Sequence, residues 1–153
     1  MRHYPANSAK AAARILAMAL LADGAIDPSE LRTLERFGTL RRLGISEDEF
    51  DETIHELCED LLAFAHRSHS GNLEVEGDAL RAVLGDVSLP YLQRKLLRAV
   101  VQIVNADGRL VGGEAVLVTH ASEVWGLEPF DALRSRPSPG RRWPPRVLQA
   151  RLA

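Results

Sequence analysis

Ala22-Asp23-Gly24-Ala25-Ile26-Asp27-Pro28-Ser29-Glu30 returns 84 residues later, without a gap, as Ala106-Asp107-Gly108-Arg109-Leu110-Val111-Gly112-Gly113-Glu114. Each copy follows a strongly apolar segment. Each then leads to a short glycine-centred element, Leu43-Gly44-Ile45 in the first case and Trp125-Gly126-Leu127 in the second. Repetition at that separation predicts two copies of one helix–turn–helix unit within a single domain. Each turn carries carboxylates, so the pair is a candidate cation site.

Working outward, the first helix begins at a cap on Asn7 or Ser8 and runs to about Ala22. From Ala11 to Ala22 it is apolar almost all round apart from Arg14, which places it at the centre of the fold. Gly24 closes it in the left-handed conformation that glycine tolerates best. The second helix opens with Asp27 as N-cap, Pro28 in the first position and Glu30 in the third, a capping-box arrangement, and extends to Gly44. Ser46-Glu47-Asp48-Glu49 is another capping box and starts a third helix. Its Phe50, Ile54, Leu57, Cys58, Leu61, Leu62 and Ala65 form one apolar stripe. His66–Gly71 reads as a connection, 76–84 as a shorter helix, and Ser88 with Pro90 as the start of a second central helix. After the second turn come a helix over 113–125 and a short one over 129–133. The fold class is therefore all-α: a compact bundle of about seven helices built from two pseudo-symmetric helical hairpins.

A chain of 153 residues, 46% of them apolar, has the size and composition of one domain. Residues 1–133 form the helical domain and 134–153 a Pro/Arg-rich flexible tail, whose Pro137, Pro139, Pro144 and Pro145 exclude regular helix. Net charge is −2, but unevenly spread: residues 1–133 hold 13 Lys/Arg against 21 Asp/Glu, and the tail holds six Arg and no acid. No apolar run approaches the roughly 20 residues that span a bilayer, and the N-terminal stretch lacks the layout of a secretory signal. A single cysteine, Cys58, excludes an internal disulfide framework and fits a reducing, cytoplasmic setting.

Set against a calcium loop with Gly24 at its sixth position, Asp23 takes position five, Asp27 position nine and Glu30 position twelve. Asp107 and Glu114 fall on five and twelve in the second copy, with Val111 where an oxygen ligand would be expected. The front half of each loop is missing, so each is about half a site. Two geometries follow. If the turns lie apart, two weak sites result. If they lie together, Asp23, Asp27, Glu30, Asp107 and Glu114 supply five carboxylates for Ca²⁺ or a similar hard divalent ion. The competing explanation is that these acids cap helices. It accounts well for Asp27 and less well for the second copy, where Gly112 or Gly113 is the available cap.

The doubled Ala-Asp-Gly-x-(Ile/Leu)-x-x-x-Glu, each after an apolar helix and before a Leu-Gly-Ile or Trp-Gly-Leu element, resembles the TerB-like (tellurite resistance) family over roughly residues 8–133. The resemblance implies an all-helical domain whose acidic cluster binds a divalent metal, carried here by Asp23, Asp27, Glu30, Asp107 and Glu114. It also implies a role in bacterial tellurite or general stress response, with protein partners in membrane-associated assemblies. The Pro/Arg tail lies outside it.

Other signals are weaker. Glu47–Asp60 contains eight carboxylates and no Lys or Arg, which reads as a solvated helix face or as a dock for a basic partner, the Arg-rich tail included. His55, Cys58, His66 and His69 do not supply the tetrahedral set that zinc requires. No nucleophile elbow, phosphate-binding glycine loop or zinc-protease motif is present, so the chain reads as a binding module rather than an enzyme. Nucleic acid is not an expected partner.

Overall fold

The computed structural model describes residues 1–22, 24–67, 77–106 and 112–129. Among them are seven helices and no strand: α1 (Ala9–Leu20), α2 (Pro28–Phe37), α3 (Thr39–Leu43), α4 (Glu47–Arg67), α5 (Gly77–Gly85), α6 (Pro90–Val104) and α7 (Gly113–Trp125). The all-α packed bundle expected from the periodicity is the observed architecture.

The centre is α1. Every residue from Ala11 to Leu20 is buried, as a composition apolar but for Arg14 requires. α4 lies along one flank of α1 and α6 along another, while α5 and α7 pair with each other. The two arms that follow the repeated turns take different neighbours: α7 packs on α5 and α6, and α2 packs on α6 and α3. Ile15, Leu16 and Ala17 of α1 and Leu96, Leu97, Val100 and Ile103 of α6 belong to one core with essentially no solvent access.

Helix ends follow the capping chemistry, with three departures. Ser8 Oγ accepts the Ala11 amide at 3.1 Å and starts α1. Ser46 Oγ accepts the Glu49 amide while the Glu49 carboxylate accepts the Ser46 amide, each at 3.2 Å, completing the second capping box. Gly44 and Gly126 both adopt the left-handed conformation, and the next residue in each case, Ile45 or Leu127, donates back across five residues to Leu40 or Ser122.

The first departure is that the helix expected to run from Pro28 to Gly44 is two helices. Gly38 sits at φ 57° and breaks it, because a left-handed residue cannot continue a right-handed helix. The second lies in α4, which continues to Arg67 through the start of the expected connection, and on which Leu62 is 58% exposed rather than part of the inward stripe. The third concerns α6, which has Leu89 as its N-cap residue and no side-chain cap of its own. The missing acceptor comes from Asn7, whose Oδ1 accepts the amides of Ser88 (2.8 Å) and Leu89 (3.0 Å). Asn7 also donates through Nδ2 to Ser88 Oγ and through its backbone to the Asp86 carbonyl. It holds this position at φ 60°, the left-handed region that Asn enters more readily than most residues.

The expected helix over 129–133 lies outside the described residues beyond Pro129, as does the whole 134–153 tail.

Candidate functional site

α1 ends at Leu20. The Gly24 amide donates to the Leu21 carbonyl at 2.9 Å, and Gly24 itself has φ 85°. This reverses the chain so that Asp27 can open α2. Its Oδ1 accepts both the amide and the hydroxyl of Ser29 at 2.6 Å, so the cap acts on the second helical residue. These two bonds hold the exposed Asp27 carboxyl below its ordinary pKa. One turn on, Glu30 is buried, with 6% of its surface exposed.

The second copy is built differently. Gly112, at φ 65° and ψ −129°, is the N-cap of α7 and contributes no side chain. Gly113 is therefore the first helical residue and Glu114 the second, whereas Glu30 is the third residue of α2. The helix start has moved one residue relative to the sequence repeat, as expected where Val111 replaces Asp27 and cannot cap. Glu114 is nevertheless buried, at 2% exposure.

Gly113 joins the two turns. A Cβ built on it would stand 2.5 Å from the carbonyl oxygen of Ala22, on the last residue before Asp23. Only glycine permits this approach of backbone to backbone. Of the two geometries open from the sequence, the described residues that flank the turns thus lie together at this point. Asp23 and Asp107 themselves lie outside the described residues. Among those described, no group of three or more His, Cys, Asp or Glu side chains is placed to hold a metal ion.

The acidic run on α4 has partners that the sequence reading did not name. Arg2 pairs with Glu59 (2.6 Å) and reaches Asp60 (3.7 Å), and Lys10 pairs with Glu52 (2.8 Å) and Glu56 (3.3 Å). Arg14, 1% exposed, donates through Nη2 to Asp60 (2.9 Å) and through Nη1 to the Arg2 carbonyl. The Tyr4 ring covers that guanidinium at 5.2 Å, and the Tyr4 hydroxyl donates to Glu56. Burial, then the Glu56 carboxylate, push the Tyr4 hydroxyl up to about 12. The same bond, assisted by Lys10, draws Glu56 below its ordinary value. One edge of the acidic helix is therefore occupied by the chain's own N-terminal segment. The clue in the sequence was Arg14, a lone cation in an otherwise apolar helix that had to find a carboxylate.

Comparison with protein-family models, with curated proteins and with solved structures finds no match. No helix among the described residues is long and apolar enough to cross a membrane.

Proposed function

We propose that this chain is a TerB-like stress-response module, of the tellurite-resistance type, in which the two acidic turns together bind one hard divalent cation such as Ca²⁺. The observation that supports the reading is the close approach of Ala22 and Gly113, which brings the start of the first copy to the end of the second. The burial of Glu30 and Glu114 adds to it. Glutamate is among the side chains least often buried, yet both copies bury it at the same repeat position. Helix capping asks only for a solvent-facing acceptor such as Asp27. The donors are carboxylate oxygens, which suit a hard cation over a soft one. On this reading Glu30 and Glu114 supply buried carboxylates, Asp23 and Asp107 complete the set from the turns, and Asp27 stays the cap of α2. Bound there, the ion fixes one arrangement of the turns and of the α2 and α7 arms, which is a surface for protein partners rather than a catalytic centre.

A second reading has its own observation. The two bonds from Asp27 to Ser29 are what a metal-independent cap would make, and on that reading the domain is a scaffold. Calcium titration by calorimetry on chelator-treated protein, with magnesium as control, separates the two. Saturable binding lost in both Asp23→Asn/Asp107→Asn and Glu30→Gln/Glu114→Gln supports the cation site. Absence of binding up to millimolar calcium refutes it and leaves the scaffold reading.

A further inference from the structure

The interior is not filled evenly. Where the C-terminal end of α1 meets α4, α5 and the first turn of α7, a cavity of about 310 Å³ remains. Leu57 and Leu61 of α4, Leu80 of α5 and Leu117 of α7 form its walls, and Met18 and Leu21 close it from α1. Val116 also lines it and is 48% exposed, so the cavity opens to solvent beside α7.

The lining selects the kind of occupant. Among the described residues it contains no charged or polar side chain, and its remaining members are Ala22, Gly112 and Gly113. The side-chain walls are apolar and polar groups come from the backbone alone, a lining that suits a largely apolar molecule, as apolar cavities take up small apolar molecules. A cavity of about 150 Å³ accommodates benzene, so one of about 310 Å³ has room for roughly two such rings. Side chains bordering unfilled space lose dispersion contacts, and an occupant restores them.

We infer that this cavity is a binding site for a neutral, largely apolar small molecule of about two-ring bulk, entering past Val116. Its described lining borders the Ala22–Gly113 contact but includes neither Glu30 nor Glu114, and it is tested without metal. The full chain in chelator-containing buffer is titrated with indole while the methyl resonances of leucine and valine are followed. Saturable shifts centred on Leu57, Leu61, Leu80, Val116 and Leu117 are expected, together with a higher thermal midpoint at saturation. Leu80→Phe occupies the space from its wall, and Val116→Phe blocks the mouth from a half-exposed position that does not threaten folding. Each is expected to weaken indole by about tenfold or more, a change of about 1.4 kcal/mol. The inference is overturned if no saturable shift appears up to the solubility limit of indole. It is equally overturned if wild type and Val116→Phe bind alike with shifts spread over unrelated methyls.

Discussion

Replacing Gly113 with alanine tests the contact on which the arrangement of the two turns depends. The new Cβ would stand 2.5 Å from the Ala22 carbonyl oxygen, and real Cβ contacts essentially never fall under 3.0 Å. At least half an ångström of movement is therefore required, and the obstructing atom is backbone rather than the end of a flexible side chain. Overpacking of this kind destabilises by about 1–3 kcal/mol. Alanine recovers at most about 1 kcal/mol through its better helix propensity, and less than that in a first turn. The expected net loss is about 1–2 kcal/mol. For a chain of this length that lowers the thermal midpoint by about 2–8 °C. With an m-value of about 2 kcal/mol per M, it brings the urea midpoint down by about 0.5–1 M. Gly85→Ala is the control, since Gly85 is also helical but a Cβ there meets nothing within 4 Å. It should stabilise by about 0.4–1 kcal/mol. Urea unfolding of both variants, followed by circular dichroism, decides the matter. If Gly113→Ala is as stable as wild type, the turns are not in backbone contact. Under the cation reading its calcium affinity should also fall, because the two half sites would be forced apart.

Asn7→Ala should cost about 2–3 kcal/mol, combining a lost cap with an alanine held at positive φ. Asn7→Gly should lose less, because glycine accepts that backbone geometry; equal losses in thermal unfolding would remove the conformational part of the argument. Asp60→Ala strands the buried Arg14 guanidinium and should destabilise by about 3–5 kcal/mol, whereas Arg14→Met leaves Asp60 with Arg2 and should be milder; the reverse order in urea unfolding would refute the pairing. Glu56 and Asp27 titrate below their ordinary values when folded, so their stabilisation is present above the unfolded carboxylate range and lost as pH falls through the folded values. Tyr4 is raised from 10.0 to about 12, so its contribution is complete below pH 10 and lost as pH climbs from 10 toward 12. The part of the tyrosinate absorbance removed by Tyr4→Phe should rise near pH 12; a midpoint near 10 would show that Tyr4 is neither buried nor bonded to Glu56 in solution.

The helices were legible because their signals are local. The apolar run of α1, the Pro28 and Pro90 starts, the Ser46–Glu49 box and the glycines at 44 and 126 each act over a few residues. What escaped is what depends on distant residues. Gly38 reads as an ordinary helix glycine until the path of the chain forces it left-handed. Asn7 and Ser8 both read as caps for the helix beside them; Ser8 takes that role, and Asn7 serves a helix far along the chain. The acidic stretch on α4 announced a need for cations without saying which ones. For the candidate site, residue types and repeat spacing were readable, and so was the failure of Val111 as a cap. The contact of Ala22 with Gly113, and the one-residue shift between Glu30 and Glu114 in their helices, are matters of tertiary placement that no spacing encodes.

The long reach of Asn7 also gives the molecule an internal reporter. Two amide protons, on Ser88 and Leu89, share a single side-chain oxygen that belongs to a residue 81 positions earlier than Ser88. Their hydrogen exchange is thereby tied to the attachment of the opening segment and not to fraying of α6 alone. Whenever Asn7 lifts from residues 86–89, the two protons should lose protection in concert, with the Asn7 amide joining them through its bond to Asp86. Exchange at one helix end thus measures how often Asn7 detaches.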